Sequence, residues 1–265
     1  MSKRKRSRLK RAFTPEEIAA TKFKVLDFSD EWLRHIGRPD QRIRMIVHGA
    51  SGQGKTRYIL KLAKYLTQFG KVYYNSYEEG KSQTLKKAII ESNIVNEVPR
   101  GSLIFGDQDS FDDMLRRMKN RNSPRFLFID STDYMNLTKE QYQTLHEELP
   151  TKGIILISWS TGKEPKTAAA KAIYYMVDIK VRVHEFRAFC RSRYGGIEPF
   201  IIWPEYWADK AAEAQERAES QKPNPTPAKP RPGPSRKPRP AIPQPTEEEE
   251  DYDEEQLLLE LSRPR

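Results

Sequence analysis

The segment Gly49-Ala50-Ser51-Gly52-Gln53-Gly54-Lys55-Thr56 constrains the fold more than any other stretch. It satisfies the pattern G-x-x-x-x-G-K-[ST] at every fixed position. Residues 43–48 before it are an apolar run of strand length. After it, Ile59, Leu62, Ala63 and Leu66 recur at helical spacing. A strand, a glycine turn and a helix in that order make a phosphate-binding loop. The turn lets backbone N–H groups curl around phosphate oxygens, and the helix N-terminus adds the positive end of its dipole. Lys55 is then expected to reach the β- and γ-phosphates of a nucleoside triphosphate, and the Thr56 hydroxyl to hold Mg²⁺. The alternative is a glycine-rich turn with a chance lysine. Four fixed residues and two correct flanks weigh against it.

A second signature follows downstream. Phe126-Leu127-Phe128-Ile129-Asp130 is four apolar residues and a carboxylate, the Walker B pattern. A buried strand of this kind delivers its Asp beside the nucleotide's metal, so Asp130 joins the expected Mg²⁺ site. Between the two motifs, residues 71–76 read as a strand that ends at Tyr77-Glu78-Glu79-Gly80. Acids at the C-terminal end of such a strand lie where open α/β sheets bind ligands. There Glu78 could orient and polarise an attacking water. The bland reading is that both glutamates open the next helix.

The remaining elements complete an alternating pattern. Thr14-Pro15-Glu16-Glu17 is a helix start, Asp30 a candidate cap for a short helix burying Trp32, Leu33 and Ile36, and Ser110 an N-cap. His35 has no metal-type neighbour at ligand spacing and reads as structural. Strands are expected at 102–105 and 153–158, and helices at 81–92, 110–119 and 137–149. Asp133 reads as loop-forming. Five strands separated by helices make a doubly wound α/β sheet. Beyond it, residues 178–183 and 188–191 alternate like antiparallel strands, and 199–203 form a last one.

This order of motifs resembles the RecA-like ATPases, nearest the branch of DnaB-type helicases, RadA/Sms and KaiC, over about Val25 to Trp203. The family's Ser-x-Glu pattern at the end of the second strand is matched by Ser76-Tyr77-Glu78, which implies that Glu78 is the catalytic glutamate. Its Lys/Arg-x-Arg-x-Gly segment is matched by Arg191-Ser192-Arg193-Tyr194-Gly195. The resemblance implies that Arg191 and Arg193 act on a neighbouring subunit's γ-phosphate, in a ring or filament of identical chains. It further implies an α/β RecA-like core with a C-terminal β-meander, ATP with Mg²⁺ as cofactors, and ATP hydrolysis in DNA replication, recombination or mobile-element processes. Two departures stand out. Trp159 sits near the position where the family places Gln or His to sense the γ-phosphate, and the extra domains of the relatives have no counterpart. Both suit a second reading, an ATP-controlled switch or loader with slow hydrolysis.

Composition sets the outer limits. The chain has 265 residues, a hydrophobic fraction of 37%, 19 prolines and one cysteine, Cys190. An intrachain disulfide framework is excluded, and a reducing, cytoplasmic setting is expected. No run is long and apolar enough to span a membrane, and no apolar core of a secretory signal follows the basic N-terminus. The net charge of +10 is uneven. Residues 1–11 hold seven Lys/Arg and no acid, residues 221–245 six and no acid, and residues 246–265 nine acids against two Arg, leaving +4 for residues 12–220. The expected organisation is therefore a disordered basic arm (1–12), the ATPase domain (13–207), a solvated helix (208–220), a proline-rich basic linker (221–245) and an acidic tail (246–265). In the tail the acids are followed by Leu257-Leu258-Leu259-Glu260-Leu261, which suits docking to a protein partner or, equally, folding back on a basic surface. Single-stranded DNA contact would use Thr161-Gly162-Lys163-Glu164-Pro165-Lys166 and Lys171, with help from the basic arm; the alternative for both stretches is a solvated charged surface.

Overall fold

The computed structural model describes residues 11–220; the basic arm before residue 11, the linker and the acidic tail expected from the sequence lie outside them. Two units are distinguished, divided between Trp203 and Pro204. In the first, the chain runs α1 (Pro15–Ala20), α2 (Asp30–Ile36), β1 (Arg44–Gly49), α3 (Lys55–Leu66), β2 (Val72–Ser76), α4 (Gln83–Glu91), α5 (Ile94–Glu97), β3 (Leu103–Asp107), α6 (Phe111–Lys119), β4 (Phe126–Asp130), α7 (Lys139–Glu148), β5 (Gly153–Trp159), α8 (Ala168–Tyr174), β6 (Ile179–His184), β7 (Arg187–Ser192) and β8 (Phe200–Ile201). The described part of the second unit is the single helix α9 (Pro204–Ser220).

The strands form one sheet in the order β3-β2-β4-β5-β1-β6-β7-β8. β1, β2 and β4 are buried along their whole length, as continuous apolar runs with helices on both faces must be. Alternate residues feed two cores. Met45, Val47, Tyr74, Phe126, Phe128 and Ile155 pack with α2, α3 and α5 on one face. Ile46, Tyr73, Leu127, Ile129 and Leu156 pack with α6, α7 and α8 on the other. The result is a three-layer α/β/α unit.

Local capping explains where several helices start. Thr14 and Thr138 each close a capping box, with Glu17 and Gln141 as the reciprocal partners. Ser110 accepts from the Asp113 N–H as expected. Asp30 is not a cap: it is the first residue of α2, and Ser29 holds the N-cap position. Within that helix His35 is buried in place of Leu33, which is only half-covered. The His35 Nδ1–H donates to the Glu198 carbonyl at 2.7 Å, and Nε2 accepts from the Tyr58 hydroxyl at 2.9 Å. Burial pushes the ring's pKa down to about 4, so this histidine is a neutral core tie between α2 and α3.

The antiparallel β6–β7 pair expected from the sequence is present, and β6 has a second neighbour that the sequence did not specify. β6 pairs in parallel with β1, Met45 opposite Ile179 through His48 opposite Arg182, and antiparallel with β7. Six strands are therefore parallel, and the meander begins at the β6–β7 turn. The alternation of buried Ile179, Val181 and Val183 with Lys180, Arg182 and His184 reports half-burial; it carries nothing about the direction of the neighbouring strand.

The close approach of β6 also explains Gly49. A Cβ there would lie 2.3 Å from the Val183 carbonyl oxygen. Gly49 is thus a packing glycine, unlike Gly52 and Gly54, whose φ of +77° and +96° belong to the turn. Gly49→Ala is expected to cost about 1–3 kcal/mol by forcing β6 away. Gly162→Ala, whose Cβ meets open space, should stay within about 0.5 kcal/mol. Urea unfolding of both variants checks this, and equal midpoints would remove the packing argument.

Candidate nucleotide site

The phosphate loop bridges β1 to α3, and Gly54 occupies the helix's N-cap position with no side chain to fill it. The N–H groups of the first turn are consequently left for a ligand. Beside the loop is a cavity of about 310 Å³ lined by Ser51, Gly52, Lys55, Thr56, Glu78 and Asp130, among others. Lys55 Nζ donates to the Ala50 carbonyl at 2.8 Å. Burial lowers the pKa of its ammonium, against the pull of Glu78, Asp130 and Asp133.

Glu78 reaches this cavity because the end of β2 is tied to the end of β4. Both the Tyr77 and the Glu78 N–H groups donate to the Asp130 carbonyl, at 2.6 and 2.8 Å. The next carboxylate, Glu79, accepts from Thr84 at 2.8 Å and Ser82 at 3.3 Å at the start of α4. Glu79 also lines the cavity but is held by that turn, whereas Glu78 is the member of the pair that acts on Lys55. Burial raises the pKa of Glu78, while the Ser131 hydroxyl and Lys55 counteract the shift.

Asp130 is almost fully buried and takes a hydrogen bond from the Tyr74 hydroxyl. Burial pushes its pKa up to about 6. Asp130 shares the cavity with a second acid, Glu78, and with Lys55, so two carboxylates meet the phosphate loop at one place. A hard dication such as Mg²⁺ fits there, with the Thr56 hydroxyl and Asp130 as oxygen donors. No cluster of three or more His, Cys, Asp or Glu suited to a metal occurs among the described residues.

Asp133 does more than shape a loop. Its Oδ2 accepts from the Ser158 hydroxyl at 2.9 Å and the Trp159 N–H at 2.6 Å, and its Oδ1 from the Thr167 hydroxyl at 3.3 Å. One carboxylate thus fixes the end of β5 and the N-cap residue of α8. Trp159 lines the cavity beside Asp130, with Lys166 Nζ 5.5 Å from its ring.

Arg191 and Arg193 are not brought to this cavity. Arg191 is opposite Lys180, and Arg193 pairs with Asp178 at 3.1 Å. Because β6 runs parallel to β1, these positions are at the end of the sheet away from the phosphate loop. Arg191 is four residues along β7 from the loop end, roughly 14 Å at ordinary strand rise.

The decisive arrangement is the position of β5 between the P-loop strand and the Asp130 strand, all parallel, with β2 and its Glu78 on the far side of β4 and the β6–β8 meander beyond β1. The fold is an α/β phosphate-loop unit built on a mostly parallel sheet. Similar solved structures include the flagellar accessory protein FlaH from Methanocaldococcus jannaschii, at 15% identity and a TM-score of 0.46 over 68% of this chain and 97% of that one. A DnaB-like replicative helicase, from a structure describing its interactions with primase, shows 15% identity and a TM-score of 0.43 over 60% and 54%. A separately solved ATPase domain is similar at 14% identity and a TM-score of 0.43, over 60% and 80%. No family model and no curated protein matches the chain. No helix among the described residues is long and apolar enough to cross a membrane.

Proposed function

We propose that this chain is a RecA-like ATPase that binds MgATP, hydrolyses it, assembles side by side with copies of itself and acts on single-stranded DNA in replication, recombination or mobile-element processes. The observation that supports the reading is the convergence of Lys55, Thr56, Glu78 and Asp130 on one cavity at the mouth of a glycine loop. In it, the loop's N–H groups and Lys55 hold the β- and γ-phosphates, and Thr56 and Asp130 hold Mg²⁺, which neutralises phosphate charge when bound. Glu78 accepts the proton of the attacking water. Arg191 and Arg193 serve the neighbouring chain's nucleotide, in keeping with their distance from their own. Trp159 at the end of β5 favours a second reading, in which the same site is a slow ATP-controlled switch that loads or targets a protein partner through the acidic tail.

Steady-state ATPase rates with and without single-stranded DNA separate the two. Strong stimulation supports the motor; slow turnover indifferent to DNA, with tight ATP binding, supports the switch. The cations expected at DNA are unequal. Lys171 is paired with Glu164 at 3.5 Å, whereas Lys163 and Lys166 have no carboxylate within ion-pair distance among the described residues. Replacing Lys163 and Lys166 together by Ala should lower the slope of log affinity against log salt by about 1.4, at roughly 0.7 per single-strand phosphate. An unchanged slope would take this loop out of the DNA contact.

A further inference from the structure

The β6–β7 turn is built on two residues, Glu185 and Phe186, both with positive φ (+44° and +57°). Two-residue hairpins of this kind ordinarily use Asn-Gly or Asp-Gly, because those residues adopt the conformation with little strain. A bulky aromatic there is an outlier, and a backbone outlier held by its surroundings is a pointer to function. The surroundings hold it firmly. The Phe186 N–H donates to the Gln53 carbonyl at 3.1 Å, and the Glu185 N–H to the Gln53 side-chain oxygen at 2.6 Å. From the other side, the Ile202 N–H donates to the Phe186 carbonyl at 2.8 Å.

The ring is placed on the first turn of α3. A Cβ on Gly54 would lie 2.8 Å from Phe186 Cδ1, and Phe186 lines the same cavity as Lys55 and Thr56. Its edge meets the Trp203 ring at 5.0 Å, and the Arg57 guanidinium stacks over that indole at 4.6 Å. The cavity is lined from both sides of β1. Glu78, Asp130 and Trp159 come from the ends of β2, β4 and β5, and Phe186 comes from the β6–β7 turn on the other side, where Trp203 and Arg57 extend an aromatic and guanidinium wall. A planar, weakly polar group leaving the phosphate loop meets that wall.

We infer that Phe186 is the surface against which the base of a bound nucleoside triphosphate stacks, so that the hairpin turn selects for a nucleoside beyond the phosphates. The inference rests on the nucleotide-binding reading above and names the residue that reads the ligand's other end. Base stacking on an aromatic ring typically changes affinity by about tenfold or more.

The test is calorimetric titration of the full chain, with Mg²⁺, by ATP and by inorganic tripolyphosphate, in wild type, F186G and F186W. Glycine suits the positive φ, so F186G removes the ring while keeping, or easing, the turn. Wild type should bind ATP about tenfold tighter than tripolyphosphate. F186G should lose that ratio by weakening ATP alone, and F186W should keep it. An unchanged ratio in F186G overturns the role of Phe186 and leaves nucleotide binding standing. Wild type binding neither ligand overturns the nucleotide reading itself, and the role of Phe186 with it.

Discussion

Glu78→Gln keeps nucleotide bound and lowers the rate of ATP turnover by roughly a hundredfold or more, the usual contribution of a positioned general base. The substitution is nearly isosteric, and the two N–H contacts from Tyr77 and Glu78 to Asp130 involve only backbone, so the turn that carries residue 78 is retained. What is lost is the ability to take a proton from water. Since burial raises the Glu78 pKa, the wild-type rate should fall on the acid side as Glu78 becomes protonated. That limb should vanish from the residual activity of the variant. Glu79→Gln is the control: its side-chain oxygen can still accept from Thr84 and Ser82. Single-turnover hydrolysis across pH, with nucleotide affinity measured separately, decides the matter. A Glu78→Gln enzyme with wild-type turnover would return the role to another group.

Asp130→Asn should have opposite effects on function and on stability. In the nucleotide-free protein the Asp130 pKa is raised from the ordinary 3.8 to about 6. The folded state therefore holds the proton more tightly than the unfolded chain does. Stability from this group is present below about pH 4 and is lost as pH rises through about 6. Above that, the buried carboxylate costs the fold up to about 3 kcal/mol, at about 1.4 kcal/mol per pKa unit. Asn has no charge to desolvate and can still accept from Tyr74. The nucleotide-free variant should melt several degrees higher at about pH 8, at roughly 2–4 °C per kcal/mol for a domain of this size. Adding Mg²⁺ and ATP should stabilise wild type and leave the variant almost unchanged. Calorimetric melting in four conditions, each protein with and without MgATP, provides the comparison. A variant that melts lower without nucleotide would show that Asp130 is already compensated.

The features legible in the sequence are those whose meaning is carried within a few residues. The glycine loop, the apolar run into Asp130 and Ser76-Tyr77-Glu78 each combine a strand with its end. In α/β sheets, strand ends are where such side chains converge. What the sequence concealed depends on distant partners. Asp133 acts through Ser158, Trp159 and Thr167, from 25 to 34 residues away. Phe186 matters because Gln53 and Gly54 hold it against the first turn of α3, and nothing in the local sequence reports that contact. The pairing of β6 with β1 was hidden for a related reason: burial pattern identifies a face, while a partner strand is chosen by the whole sheet. Gly49 had the right residue for a different cause, a neighbouring carbonyl rather than a bend.

The anchoring around Asp133 has a consequence for chain length. The segment after β5 is pinned at both ends, by Ser160 N–H to the Gly49 carbonyl at 3.2 Å, by Lys166 N–H to the Trp159 carbonyl at 2.9 Å and by a Ser160–Pro165 bridge. Only residues 161–164 are left to span the gap between fixed points. Doubling such a span adds only about 0.6 kcal/mol of closure entropy. One residue inserted into α3 would instead rotate its apolar positions by about 100°. Related chains can therefore lengthen, shorten or recharge this tip while the nucleotide site keeps its shape, which makes it the least expensive place for evolution to alter what the molecule touches.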